Sequence, residues 1–138
     1  MRAEINLLTI IVGIAGYVFG GWTLILQTLV FFMAVDYCTG VIAACFRKSK
    51  KSRSGGLSSK AGFKGLLKKV FILVIAAVAY RIDKLIGAEG LVYNAALLFY
   101  ISNEAISIIE NVSVLGLPVP AKLINVIDSL KEDNKDEG

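Results

Sequence analysis

Histidine is absent from this chain, and with it go the commonest general base near neutral pH and the commonest metal ligand. Cysteine is scarce. Cys38 and Cys45 lie seven positions apart in one apolar run, so on a helix they stand about 10 Å apart along the axis, too far to bridge each other. They read as small packing residues. Proline occurs only at positions 118 and 120, which leaves the preceding chain free of the residue that most strongly interrupts helices. Charge is also thin: 19% of the residues are charged and 56% hydrophobic, against about a quarter charged in an average soluble domain. No nucleophile–base pair is apparent, and Gly55-Gly56 lacks the Lys-Ser/Thr that a phosphate-cradling loop requires. The sequence therefore offers no catalytic residues, no metal ligands and no cofactor motif, and an enzyme is not expected.

The apolar residues come in blocks, the signature of membrane-crossing segments. The first block, 5–46, carries a single charge, Asp36. As one helix it would rise about 63 Å, twice the hydrocarbon thickness, so it must turn. Gly20-Gly21 is the best place, with Trp22 beside it as an interfacial anchor. This predicts helices over about 5–20 and 22–46. A cleaved signal peptide is disfavoured, because Glu4 dilutes the positive start and the apolar run continues past any cleavage site.

Residues 47–69 hold nine basic residues (Arg47, Lys48, Lys50, Lys51, Arg53, Lys60, Lys64, Lys68 and Lys69) and no acid. This predicts a basic loop over 47–65. The stems of Lys68 and Lys69 would snorkel at the start of a third helix, over about 66–86. A segment this short and basic is expected on the cytoplasmic side. Its charge is better explained by membrane topology than by nucleic-acid binding. Gly87 and Gly90 bracket a tight connection to a fourth helix over about 91–115, which Gly116, Pro118 and Pro120 end. A short amphipathic helix over about 120–131 follows, with Leu123, Ile124, Ile127 and Leu130 on one side, then a charged tail, 132–138. The expected fold is an all-α, single-domain membrane protein over 1–138, with about four transmembrane helices, or three if the first lies at the interface. The C-terminus is expected to be cytoplasmic.

The fourth helix holds the most informative pattern. Tyr100, Asn103, Glu104, Ser107, Glu110 and Asn111 fall on one stripe. Such a stripe cannot face lipid, and an intramembrane acid is a functional candidate by default. The stripe is expected to line a pore or to contact another helix. Asp36 is a second intramembrane acid, with Arg47, Lys69 and the stripe as candidate partners. Gly16 with Gly20, and Gly40 with Ala44, are small pairs suited to helix packing. Asn111-Val112-Ser113 matches a glycosylation acceptor, a match too short to carry weight.

These residues also resemble a known family. Asp36-Tyr37-Cys38-Thr39-Gly40 resembles the Asp-x-x-Thr-Gly signature of the toxin-secretion and phage-lysis holins. Ser58-Ser59-Lys60-Ala61-Gly62-Phe63-Lys64-Gly65, with Lys68-Lys69, is similar to that family's approach to its third helix. Asn103-Glu104, Ser107-Ile108-Ile109-Glu110-Asn111 and Gly116-Leu117-Pro118-Val119-Pro120 resemble its C-terminal hallmark. The resemblance covers roughly residues 30–130. It implies a phage or prophage holin that forms homo-oligomers in the bacterial cytoplasmic membrane and releases an endolysin, or an exported toxin, for host-cell lysis. The endolysin would be a functional partner without direct contact, the bilayer the immediate one. A 200-residue cargo has a radius of gyration of about 16 Å, which four helices each about 10 Å across cannot enclose, so many copies are required. A small oligomeric ion or solute channel, with Glu104 or Asp36 as a cation site, and a membrane adaptor that binds through the basic loop and tail are the competing readings.

Overall fold

In the computed structural model, residues 6–46 and 56–133 are described. They form five helices: α1 (Leu7–Phe19), α2 (Leu24–Cys45), α3 (Ser59–Ile86), α4 (Leu91–Val114) and α5 (Ala121–Asp133). Local chemistry sets most of the boundaries. Asn6, Thr23 and Ser58 each accept a hydrogen bond from a first-turn amide of α1, α2 and α3, which satisfies donors that a helix start leaves unpaired. Gly20 and Gly87 end α1 and α3 in the left-handed conformation that glycine adopts at no cost. Gly20 is required for a second reason: a Cβ there would lie 2.3 Å from the Tyr80 ring.

An acid in the last turn of α3 caps the helix that follows it. At the start of α4 the N-cap is Gly90, which has no side chain to offer. The Asp83 carboxylate takes that role, accepting from the amides of Gly90 (2.7 Å), Val92 (2.8 Å) and Tyr93 (3.0 Å). Helix dipole and hydrogen bonding both favour a carboxylate there. With Asp83→Ala, the protection of these amides against hydrogen exchange is expected to fall by about tenfold or more, the equivalent of one net hydrogen bond. Exchange measured by mass spectrometry on detergent-solubilised protein checks this; unchanged protection would show that the turn does not depend on the carboxylate.

The helices pack along seams spaced three and four residues apart, the repeat of left-handed helical bundles. Buried positions are Leu26, Leu29, Met33, Asp36 and Ala43 on α2, and Lys69, Ile72, Ala76, Ala79 and Asp83 on α3. On α4 they are Tyr93, Leu97, Ser102, Glu104 and Asn111. The apolar half of these seams, around Leu26, Leu29, Met33, Ile72, Ala76 and Leu97, forms one core. Helix α4 is central: it packs most extensively on α2, then on α3, and also meets α5. Helix α1 rests on α3, where Arg81 lies 4.4 Å from the Tyr17 ring and donates to the Tyr17 carbonyl.

The distribution of polarity is inverted relative to a soluble bundle. Phe31 (63%), Phe71 (58%) and Val78 (51%) are exposed, while Asp36 (5%), Glu104 (2%) and Asp83 (1%) are buried. Water would penalise that surface, and a bilayer would solvate it.

Two expectations need correction. Four spans, or three with the first helix at the interface, were expected, but two helices, Leu24–Cys45 and Leu91–Val114, are long and apolar enough to cross a membrane by length and composition. With 13 residues α1 rises about 20 Å, short of the roughly 30 Å hydrocarbon core. The 28-residue α3 is long enough, but Lys68, Lys69, Arg81 and Asp83 interrupt its apolar stretch. The second correction concerns the start of that helix, which lies at Ser59 and not near 66. Its lysines, alanine and leucines favour helix, and the Ser58 cap sets the start within the segment whose basic run suggested a loop. Lys60, Lys64, Lys68 and Lys69 are therefore helical residues, whereas Arg47, Lys48, Lys50, Lys51 and Arg53 lie outside the described residues. The amphipathic helix is present as α5, with Ile127 buried and Leu123 and Ile124 exposed; the Leu130 side chain and the tail beyond 133 lie outside the description.

Candidate functional site: a buried charge cluster between three helices

Polar positions of the three seams meet around Asp36. Lys69 Nζ on α3 donates to Asp36 Oδ2 on α2 at 2.7 Å and also to Glu104 Oε2 on α4. Asn111, two turns further along α4, donates through Nδ2 to Asp36 Oδ1 (3.2 Å), the Asp36 carbonyl (3.2 Å) and Thr39 Oγ1 (3.0 Å). The Thr39 hydroxyl in turn donates to the Val35 and Asp36 carbonyls. One lysine thus bridges two carboxylates from different helices, and an amide locks the second helix pair. Each participant comes from a seam position, so the regular packing of the bundle delivers all of them to the same place.

The physical reason for the cluster is the cost of isolated charge. A charged side chain at the centre of a bilayer costs at least several kcal/mol, and pairing with hydrogen bonding offsets much of it. Lys69 therefore does not extend outward as its position beside the basic segment suggested; it turns inward, and its exposed neighbour Lys68 faces out. Of the partners considered for Asp36, the structure brings Lys69 and Asn111 to it.

The α4 stripe divides into two columns. Glu104 and Asn111 are buried in the seam, and Tyr100 and Ser107 are half-buried beside them. Asn103 and Glu110, each one residue earlier in the chain, are exposed on the flank. Gly40 and Ala44, together with Asp36, Lys69, Asn103, Glu104 and Ser107, line a cavity of about 480 Å³. Gly16, by contrast, has no atom within 4 Å of where its Cβ would stand, so among the described residues no helix packs closely on it. No group of three or more metal-ligating side chains occurs among the described residues.

Asp83 escaped the sequence reading. A signal for it exists: a helix opening at Gly90 has no capping side chain of its own, and Asp83 is the acid just before the turn.

The model of the bacteriophage holin family matches residues 13–132. An uncharacterised protein of Halalkalibacterium halodurans is 40% identical over 122 residues, covering 85% of each chain. An uncharacterised 14.9 kDa protein of Clostridium perfringens is 41% identical over 115 residues, 83% of this chain and 82% of that one. A probable holin of Bacillus phage phi105 is 33% identical over 100 residues, 72% of this chain and 69% of that one. No solved structure matches.

Proposed function

Because this chain belongs to the bacteriophage holin family, a family of non-enzymatic membrane proteins, we propose that it accumulates in a bacterial cytoplasmic membrane and assembles, copy beside copy, into lesions. An endolysin, or an exported toxin, would leave through them and bring about lysis of the cell. The observation that carries this reading is the polar column on α4, with Glu104 bound to Lys69 inside a bundle whose exterior is apolar. A compact bundle of this kind is soluble in lipid as a single unit. It also stores, between its helices, the hydrophilic residues that a water-filled hole needs on its wall. Asn103 and Glu110 extend the same polar surface to the flank of α4, where a neighbouring copy or water would meet it.

The proposed topology takes α2, α3 and α4 across the membrane, with α1 at its outer face. The charges of α3 do not forbid crossing, because Lys69 is paired within the bundle and Asp83 is hydrogen-bonded to the start of α4. The basic segment then lies in the cytoplasm by the positive-inside rule, and the C-terminus lies on the same side. The amphipathic α5, following Pro118 and Pro120, suits the inner membrane surface.

Inducible expression in a bacterium, with and without a cytoplasmic endolysin, tests the function. Abrupt lysis is expected only when both proteins are present. Steady growth with an intact membrane potential would contradict the proposal.

A further inference from the structure

The cavity beside the charge cluster has a construction of its own. It lies between the C-terminal half of α2, the N-terminal half of α3 and the middle of α4. Its lining includes the small residues Gly40, Ala44, Ala61, Gly62 and Gly65, and α2 and α3 touch little, with Tyr37 and Lys69 reaching across between them. No atom stands within 4 Å of the point where a Cβ on Gly65 would be. The volume of about 480 Å³ falls within the range of roughly 300–1,000 Å³ usual for small-molecule sites.

Its polarity is graded. Lys64 and Lys68, one helical turn apart and both exposed, stand on its α3 side. The carboxylates of Asp36 and Glu104, nine-tenths or more buried, also line it, with the Lys69 ammonium bound between them, so that two acids against one lysine leave a formal excess of negative charge there. Tyr37, Val41 and Leu57 supply an apolar wall. A ligand that fits must carry an anion outermost, hydroxyl donors innermost and a hydrocarbon portion alongside. A phosphate group answers the lysines as a charge-assisted acceptor, but it would be repelled by the carboxylates if it went deeper. Hydroxyl groups projecting beyond it would donate to those carboxylates, joining Lys69, and at Asp36 also Asn111, among the donors that about four acceptor positions per carboxylate admit.

We propose that this cavity binds the headgroup of an anionic phospholipid whose headgroup carries hydroxyls, of the phosphatidylglycerol type. The phosphate lies between Lys64 and Lys68, the glycerol hydroxyls point to Asp36 and Glu104, and an acyl chain runs along Tyr37 and Val41. Basic pockets between membrane helices are known lipid sites as a class; here the acidic lining adds selection for a hydroxylated headgroup. The inference rests on the membrane placement proposed above but not on lesion formation, and its test needs no lysis.

The full chain, purified in detergent, is mixed with equimolar phosphatidylglycerol, phosphatidic acid and phosphatidylcholine, and the lipid retained is counted by native mass spectrometry. Retention of phosphatidylglycerol at least tenfold above either other lipid is expected. Lys64→Gln with Lys68→Gln removes the phosphate partners, and Gly65→Leu fills the cavity without touching a charge on a helix that tolerates leucine better than glycine. Both are expected to reduce phosphatidylglycerol to the phosphatidylcholine level, while Lys84→Gln, at the far end of α3, leaves it unchanged. Circular dichroism on each variant confirms that the helices remain. Undiminished retention in Gly65→Leu would overturn the cavity as the site and leave only surface attraction by lysine. Equal retention of phosphatidic acid would overturn the role of the carboxylates, and displacement by excess soluble glycerol 1-phosphate would assign the site to a free phosphate instead of a lipid. A chain that retains the lipid as expected but never lyses cells would leave this inference standing and contradict the proposed function alone.

Discussion

Lys69→Met is expected to destabilise the protein by roughly 3–5 kcal/mol, the range for breaking a buried ion pair by removing one partner. The methionine fills similar volume, so little of the loss comes from packing. It comes from Asp36 and Glu104, two buried carboxylates on different helices that would face each other without the ammonium between them. The helix pairs α2–α3 and α3–α4 would lose their polar link together. Unfolding of detergent-solubilised protein in increasing dodecyl sulfate, followed by circular dichroism, measures the effect. A midpoint equal to the wild type would mean that the lysine contributes nothing net to the fold.

The triple replacement Asp36→Asn, Lys69→Met and Glu104→Gln separates stability from function. Removing every charge of a buried cluster at once leaves no ion unpaired, which avoids the roughly 3–5 kcal/mol cost of breaking the pair from one side. The triple variant is therefore expected to accumulate in the membrane as a folded bundle. Under the proposed function it should nonetheless fail to lyse cells that carry the endolysin, over the full period in which the wild type does so. The reason is the wall of the lesion: without the ionised cluster to hydrate, the hydrated assembly loses its advantage over the lipid-embedded monomer. Immunoblotting of membranes and culture turbidity give the two readings. Lysis at the wild-type time, with the variant present at equal amount, would remove the cluster from the mechanism.

The turns were legible in the sequence because glycine and proline act locally. Gly20-Gly21, Gly87 with Gly90, and Gly116 with Pro118 all mark helix ends where the structure has them. The start of α3 was not, since lysine, serine and glycine suit a polar loop as well as a capped, solvated first turn. Lys69 was read both as a snorkelling residue and as a candidate partner of Asp36, and only the second reading stands. Adjacent lysines on a helix differ by about 100° in direction, and composition does not say which one turns inward. The three-four spacing of Lys69 with Ile72, Ala76, Ala79 and Asp83 does, once those apolar positions are taken as the seam. In the same way the α4 stripe looked like one face, although its six polar residues span two columns, one buried with Glu104 and Asn111 and one exposed with Asn103 and Glu110. The partner of Asp36 depends on contacts 33 residues apart in the chain, and no local pattern carries that information.

The central claim is that the α4 polar column is enclosed in the resting bundle and wetted in the lesion. It is tested most directly by single cysteines placed at 103, 104, 107, 110 and 111 in a Cys38→Ser, Cys45→Ser background, labelled with a membrane-impermeant thiol reagent from outside the cell. Before lysis, the cysteines at 104 and 111 are predicted to be protected; at the onset of lysis they should label at a rate approaching that of an exposed thiol. Protection of 104, 107 and 111 that persists through lysis would contradict the claim, and would make the column a fixed joint between helices.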